Sequence, residues 1–382
     1  MSETRKASPL IVSGFSSQPF AKAIAENMGA RTVDVRYKQH DDREIEPALL
    51  GNVRGHDVVL IASAAGDPNK QILETQFLRD TIHRAGAKNI TLVLPYMWYG
   101  RSDGDWGERK TPALASVIEN LRGKVNNVVI ADPHNPVLTR ELFQVSGANC
   151  TIVPFAYPFA VQLRDMFNKK VIEKDHTLFL HPDAGSVKRI GPAFRDCLYT
   201  TLGIDGNPNK DNWPQIGKDR DKETNESETK DINVDVKGMD VVVFEDLIAS
   251  AKTACDLAKA LKDAGARSVF LFGTTALLTY KKTKMGIPPI QRIEESSIDA
   301  AFITNTHDHS LTSPKVHKAI QASRKIHELD VAPYTAAVIK AIHMEVFDDT
   351  PDDANSISAI IRGKHPDQET MARPAELKMA GI

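Results

Sequence analysis

One of the most apolar runs of the chain, Val241 to Phe244, leads straight into two acids, Glu245 and Asp246, and Ser250, Lys252 and Thr253 follow within a few residues. In an open parallel sheet, ligands gather beyond the carboxyl ends of strands. The Ser250 and Thr253 hydroxyls, with the unpaired N–H groups of a helix start, can face an anion. Carboxylates beside that anion can accept from sugar hydroxyls, so the set suits a sugar phosphate. The same residues also suit an ordinary helix start, because Ser and Thr cap helices and acids favour their N-termini. The stretch by itself leaves both readings open. Other candidates stand after apolar runs: Asp132-Pro133-His134 and Pro182-Asp183-Ala184-Gly185. A polar run from Gly203 to Gly238 carries Lys218 and Arg220. Alone, the first would more often be a capped loop than a metal site, and the last a solvated surface loop.

The elements that must position these residues read as short apolar strands alternating with helical patterns. Strand candidates are PLIVSG, DVVLIAS, NITLVLPY, NVVIAD, TLFLHPD, DVVVFED, SVFLFG and DAAFIT, and NKQILETQFLRDTIHRAG is one of the helical segments between them. Continuous apolar strands separated by helices imply parallel sheets covered on both faces. DVVLIAS followed by AGAKNITLVLPY is echoed by DVVVFED followed by AGARSVFLFG, starting at Asp57 and Asp240. The echo predicts two related α/β domains in tandem, and a length of 382 residues fits two domains.

Composition narrows the class. The chain is 41% hydrophobic and 26% charged with a net charge of −2, so no basic bias points to nucleic acid. Its three cysteines, Cys150, Cys197 and Cys255, have no metal or redox spacing and read as reduced thiols of a cytoplasmic protein. The opening MSETRKASPLIVSG has no secretory pattern, and no apolar run approaches a membrane span.

The acidic pair, small residues and helix start resemble the phosphoribosyl-diphosphate loop of type I phosphoribosyltransferases. Further stretches resemble one family with that fold, the ribose-phosphate diphosphokinases (phosphoribosyl-pyrophosphate synthetases). VSGFSSQPFAKAIAENMG is similar to its opening strand and helix, and HDDREIEPALLGNVRGHDVVLIAS to its nucleotide loop. LPYMWYGRSDGDWGERKTP is similar to its Tyr-x-Arg-x-Asp segment, and ADPHNP and HPDAGSVKRIG to its Asp-x-His and Pro-Asp-Ala-Gly motifs. FITNT and VAPYTAAVIKAIHMEVF follow in the family's order, so the resemblance spans roughly residues 8 to 362.

The resemblance implies two tandem phosphoribosyltransferase-like domains, each a mainly parallel sheet flanked by helices. It sets residues 1–155 on the ATP side, 156–315 on the ribose-phosphate side, and 316–382 as a C-terminal helix and tail packing back on the first domain. It implies transfer of the β,γ-diphosphate of ATP to the anomeric hydroxyl of a 5-phosphorylated ribose, with release of AMP and with magnesium (Mg2+) as cofactor. His134 and Asp183 fall where the family has magnesium-linked residues, and Lys218 and Arg220 where it carries catalytic cations on a mobile loop. His40, Asp42, Glu44, Arg101 and Asp103 fall on the ATP side. Glu245, Asp246, Ser250, Lys252 and Thr253 fall on the substrate loop. Lys188 and Arg189 serve either substrate or the next helix. The ATP site of the family is completed by a neighbouring subunit, which implies a homo-oligomer.

The chain departs from the family at its loop. Where the family has Asp-Asp-x-x-Asp-Thr-x-Gly-Thr, Ala249 replaces an acid and Lys252 replaces the glycine that would allow close backbone approach and positive φ. His40 stands where the family has phenylalanine, and Ser102 where it has glutamine. Three readings follow: an ordinary synthetase using ribose 5-phosphate, placed first; an enzyme using ADP-ribose in NAD salvage; and a non-catalytic synthetase-associated paralogue.

Overall fold

The structure is a computed structural model that describes residues 8–62, 65–103, 111–145, 147–182, 186, 190–207, 213–214, 218–220, 227–229, 232, 234–279, 287–343, 357–364 and 368–377. Two compact units emerge: Met1–Pro154 with Thr306–Ser313 and Ala332–Ile360, and Phe155–Asn305 with Pro314–Val331 and Ile361–Ile382.

In the first unit the chain runs β1 (Leu10–Ser13), α1 (Gln18–Met28), β2 (Arg31–Thr32), β3 (Val35–Gln39), β4 (Ile45–Leu49), β5 (Asp57–Ile61), α2 (Pro68–Arg84), β6 (Asn89–Leu94), α3 (Ala113–Leu121), β7 (Asn127–Ala131), α4 (Pro136–Gln144) and β8 (Asn149–Val153). Six strands form one parallel sheet in the order β2-β1-β5-β6-β7-β8. Val12, Leu60, Leu92 and Ile130 pack one face against Leu78 and Ile82 of α2 and Leu114 and Leu121 of α3. Burial on both faces explains the unbroken apolar runs. β3 and β4 leave the sheet as an antiparallel hairpin paired from Val35↔Leu49 to Gln39↔Ile45.

Local chemistry sets the helix ends. Asp67 accepts from Asn69 N at 2.9 Å and Pro68 opens α2, a side-chain cap followed by a residue with φ already helical. Buried Arg79 donates to Asn120 O at 2.6 Å and Leu121 O at 2.9 Å, closing the carboxyl end of α3, and forks onto Asp80 at 2.9 and 2.7 Å. These bonds satisfy carbonyls that a helix end leaves without partners.

In the second unit α5 (Ala156–Asn168), β9 (Thr177–Leu180) and α6 (Pro192–Leu202) precede β10 (Lys218–Arg220), β11 (Ser227–Thr229) and β12 (Asp240–Ile248). Then come α7 (Lys252–Asp263), β13 (Ser268–Ala276), α8 (Pro289–Glu295), β14 (Ala300–Thr304), α9 (Pro314–Ala322) and β15 (Ile326–Leu329). Five strands form a parallel sheet in the order β15-β14-β13-β12-β9. Its register aligns Phe244, Phe272, Phe302 and His327 as a row of rings across four strands, each in contact with the next. Phe159 of α5 packs on that row, and Trp213 stacks on Phe244 at 5.7 Å while donating to the Tyr199 hydroxyl at 2.8 Å. Val241, Val243 and Leu271 fill the other face with Leu257 and Leu261 of α7 and Ile293 of α8.

Within the polar run from Gly203 to Gly238, Trp213 and Val236 are buried, so these parts of it are not solvated. Its β10 and β11 pair antiparallel, with Lys218 opposite Thr229 and Arg220 opposite Ser227. The last long helix, α10 (Ala332–His343), returns to the first unit, where it packs on α1. The described segment after residue 361 lies in the second unit, where Ala375 N donates to Gln162 Oε1 at 2.7 Å. Among the described residues no helix is long and apolar enough to cross a membrane.

Candidate active site

In the first unit the sequence candidates follow the carboxyl ends of the strands. His40, Asp42 and Glu44 form the tip of the β3–β4 hairpin, an exposed turn in which His40 N donates to Glu44 O and Arg43 N to His40 O, both at 2.9 Å. Asp42 accepts from Glu44 N at 3.1 Å, and the His40 ring lies 3.1 Å from Glu46 Oε2. That contact with His40, and then the charge of Lys38, hold the Glu46 carboxyl below its usual range. Arg101 and Asp103 follow β6, and His134 follows β7.

Three links connect these turns. Lys70 at the start of α2 reaches Gln39 Oε1 at 3.1 Å, and neighbouring Asn69 accepts from the Tyr99 hydroxyl at 2.6 Å. Asn135 donates to Asp103 Oδ2 at 2.9 Å while its own Oδ1 accepts from Leu138 N at 3.2 Å to cap α4. The Tyr99 turn lies beside the His134 loop: a Cβ at Gly100 would meet His134 Cβ at 3.6 Å, an ordinary contact, and Met97 O more tightly at 3.2 Å. The unit therefore brings hairpin, Arg101–Asp103 turn and His134 loop into one hydrogen-bonded frame. Among the frame residues, Tyr99 is the tyrosine of the Tyr-x-Arg-x-Asp segment, whereas Asn69, Lys70 and Asn135 escaped sequence reading. Of these three, Asn135 carried a signal, standing as an N-cap type directly before Pro136.

In the second unit β12 continues through Glu245 and Asp246 to Ile248, two residues beyond the end read from sequence. β9 pairs only with Asp240 to Val243, whereas β13 pairs on to Ile248. Among the described residues, the two acids therefore lie beyond the last pair that β12 makes with β9, on the part of the strand that pairs with β13. Opposite Glu245 stands Gly273, and the Ile248 side chain fills the space a Cβ there would need. Ser250 and Ala251 then turn the chain into α7, whose first residue is Lys252.

The loop differs from the expectation drawn from its missing glycine. The left-handed residue is Ala251, at φ 58°, whereas Lys252 is the first helical residue and is not left-handed. Replacing glycine by Lys252 therefore does not remove the positive φ the turn needs. Nor does the lysine ammonium extend over the loop: it pairs with Asp256 at 3.2 Å, one turn along the exposed helix surface. Thr253 lies in the first turn of α7, and the Ser250 hydroxyl sits 3.4 Å from Lys252 N.

Asp183, Lys188 and Arg189 lie outside the described residues, and for Lys218 and Arg220 only the backbone pairing is described. Seven non-glycine residues among those described have positive φ, and four of them are Arg43, Tyr99, Asp132 and Ala251. Each of these four is within two residues of a candidate: Asp42 and Glu44, Arg101, His134, and Ser250 respectively. Strained backbone persists where the surrounding structure fixes it, and it concentrates at ligand-binding turns.

Comparisons with known proteins agree with this layout. Residues 10–123 match the family described as the N-terminal domain of ribose phosphate pyrophosphokinase, and residues 215–347 match the phosphoribosyl synthetase-associated domain. A ribose-phosphate pyrophosphokinase of Helicobacter pylori is 30% identical over 335 residues, 87% of this chain and 92% of that protein. Those of Helicobacter hepaticus and Aquifex aeolicus are 29% and 28% identical, over 87% and 78% of this chain and 95% and 86% of their own lengths. All three of these relatives are named for ribose phosphate, and none for ADP-ribose. Phosphoribosylpyrophosphate synthetase from Mycobacterium smegmatis shares the fold, with a TM-score of 0.71 at 20% identity, covering 88% of this chain and 100% of that one. With near-complete mutual coverage and paired α/β units whose strand-end turns carry the motifs, the chain belongs to the ribose-phosphate pyrophosphokinase family of diphosphotransferases.

Proposed function

We propose that the chain transfers the β,γ-diphosphate of ATP to the 1-hydroxyl of ribose 5-phosphate, releasing AMP. The observation that carries this reading is the continuous order of chemistry along β12 and α7. A pair of carboxylates past the last β9 pairing suits the ribose 2- and 3-hydroxyls. A left-handed turn and a helix start, a few residues on, suit the 5-phosphate. The first unit supplies the ATP side, with the hairpin tip for the base and Arg101, Asp103 and His134 for the phosphates. The relatives' names favour ribose 5-phosphate over ADP-ribose as acceptor. Lys252 offers nothing special to a longer anion, because its charge is taken up by Asp256.

Magnesium brought in with nucleotide phosphates keeps several waters and needs few protein ligands, which fits a chain in which no group of three or more His, Cys, Asp or Glu is gathered among the described residues. His134 and Asp183 are the residues we assign to magnesium. When bound, the ion neutralises the phosphates that the transfer must bring together. Lys218 and Arg220 meet the charge that grows on the bridging oxygens, a contribution of about 10²–10³-fold each. A homo-oligomer that completes the ATP site, and a cytoplasmic setting, complete the proposal.

The test incubates purified protein with magnesium, ATP and ribose 5-phosphate and follows the products by mass spectrometry. AMP and phosphoribosyl pyrophosphate in equal amounts are the expected result. ADP as the sole nucleotide product would refute diphosphoryl transfer.

A further inference from the structure

We propose that Arg292 is a positioning residue that holds the Ser250–Ala251 turn in its anion-binding form, an inference that rests on the acceptor reading above. Arg292 Nη1 donates to Ser250 O at 2.6 Å across 42 residues of sequence. Its own backbone is fixed within α8, where its N–H donates to Pro288 O at 2.8 Å and its carbonyl accepts from Cys255 Sγ of α7 at 3.7 Å. The guanidinium is thus built on the element that packs beside the loop.

The physical consequence follows from peptide geometry. A trans peptide points its C=O and the next N–H in opposite directions, and no described peptide bond is cis. Fixing Ser250 O toward Arg292 therefore turns the Ala251 N–H away from α8. Ala251 then takes φ 58° and ψ 1°, and its carbonyl accepts the first helical bond from Cys255 N at 3.0 Å. A residue with a Cβ resists that left-handed conformation, where glycine would not. The N-cap residue Ala251 has no side chain to cap α7, and the Ser250 hydroxyl reaches only Lys252 N, at 3.4 Å. The charged bond from Arg292 supplies the missing constraint. Without it the peptide between Ser250 and Ala251 can flip, and the fraction of protein with the Ala251 N–H turned toward an anion at the start of α7 falls. Apparent affinity falls in proportion to that fraction, whereas protein already saturated with acceptor is in the competent form and turns over normally.

The experiment compares wild type, Arg292→Met and Arg292→Lys, with Thr253→Val as the arm that tests the loop reading itself. Methionine keeps the apolar stem and removes the donor, and lysine keeps one charged donor. Arg292→Met is expected to raise KM for ribose 5-phosphate about tenfold, the size of one charge-assisted hydrogen bond. Its kcat at saturation, its KM for ATP and its thermal midpoint should stay close to wild type, and Arg292→Lys should recover part of the loss. If Thr253→Val leaves KM for ribose 5-phosphate unchanged, the acceptor reading of the loop falls. If Thr253→Val raises it and Arg292→Met does not, or if Arg292→Met lowers kcat with KM unchanged, the positioning role of Arg292 is overturned.

Discussion

Asn135 shows how one side chain can be fixed from both ends. Its Oδ1 caps α4 through Leu138 N, which forces its Nδ2 toward Asp103 Oδ2 at 2.9 Å. Asn135→Asp keeps the capping oxygen, since Asp and Asn cap equally well, but sets a second carboxylate against Asp103. We expect roughly a tenfold rise in KM for ATP, from loss of a hydrogen bond to a charged group, with thermal stability nearly unchanged. Asn135→Ser keeps a cap without the repulsion and should fall between. An unchanged KM for ATP in the Asp variant would remove Asp103 from the nucleotide site or Asn135 from its support. Sequence could reveal the candidates here because their chemistry is local: His134 follows a strand, and Arg101 and Asp103 stand in a Tyr-x-Arg-x-Asp turn. It could not reveal the bond between Asn135 and Asp103, or that between Arg292 and Ser250, because each joins residues far apart in the chain.

At the scale of elements, strands buried on both faces were the most legible feature, since alternation is not needed to find them. Each of the eight strand candidates overlaps an observed strand, although β12 and β13 run on past the ends read from sequence. The edge strands β8 and β15 and the partly exposed hairpin β3–β4 were not named, because NCTIV, IHEL and VRYKQ mix polar and apolar residues. The left-handed turn was misplaced for a related reason: a glycine rule identifies where positive φ is cheap, not where the chain must turn. Gly273 illustrates a glycine that is needed for space instead. A Cβ there would lie 2.4 Å from Ile248 Cδ1 and 2.9 Å from its Cγ1. Gly273→Ala should therefore push Ile248 away and disturb the part of β12 that carries both acids. Overpacking of this kind costs about 1–3 kcal/mol, readable as a lowered urea midpoint, and should raise KM for ribose 5-phosphate. Adding Ile248→Ala makes room for the new methyl, so the double variant should be less impaired than the sum of the two singles. Strict additivity would show that the two side chains do not compete for that space.

Across the whole molecule, titrating groups set the pH range in which the fold is held. In the first unit His307 is buried, with Tyr96 against its ring at 5.6 Å and His309 at 5.1 Å. Burial first, and then the neighbouring charge of His309, push its pKa down to about 3. An unfolded histidine titrates near 6.5, so between about pH 6.5 and 3 the unfolded chain binds a proton that the folded one refuses. Stability must fall as pH drops through that window, by at most about 1.4 kcal/mol per pH unit for this group. Glu74 acts in the opposite sense: burial raises its pKa, so it favours the fold as pH falls. In the second unit burial works against the charge of Asp240, and bonds from Arg267, Ser268 and Glu173 N outweigh it and hold its pKa low. Its stabilisation is present above the ordinary carboxylate range and disappears only as pH falls through the folded value. On the alkaline side burial pushes Cys150 and Cys197 up to about 12. The folded chain then keeps protons that the unfolded one loses above about pH 8.5, and stability falls again. The stability profile should therefore be flat between about pH 7 and 8.5, decline from about pH 6.5 downward, and decline again in alkali. Urea midpoints read from tryptophan fluorescence across pH 4.5–9 check this profile. His307→Phe keeps an aromatic ring beside Tyr96 but cannot titrate, so it should flatten the arm between about pH 5 and 6.5 and leave the alkaline arm in place. An acid arm identical to that of wild type would mean that His307 carries none of the acid sensitivity.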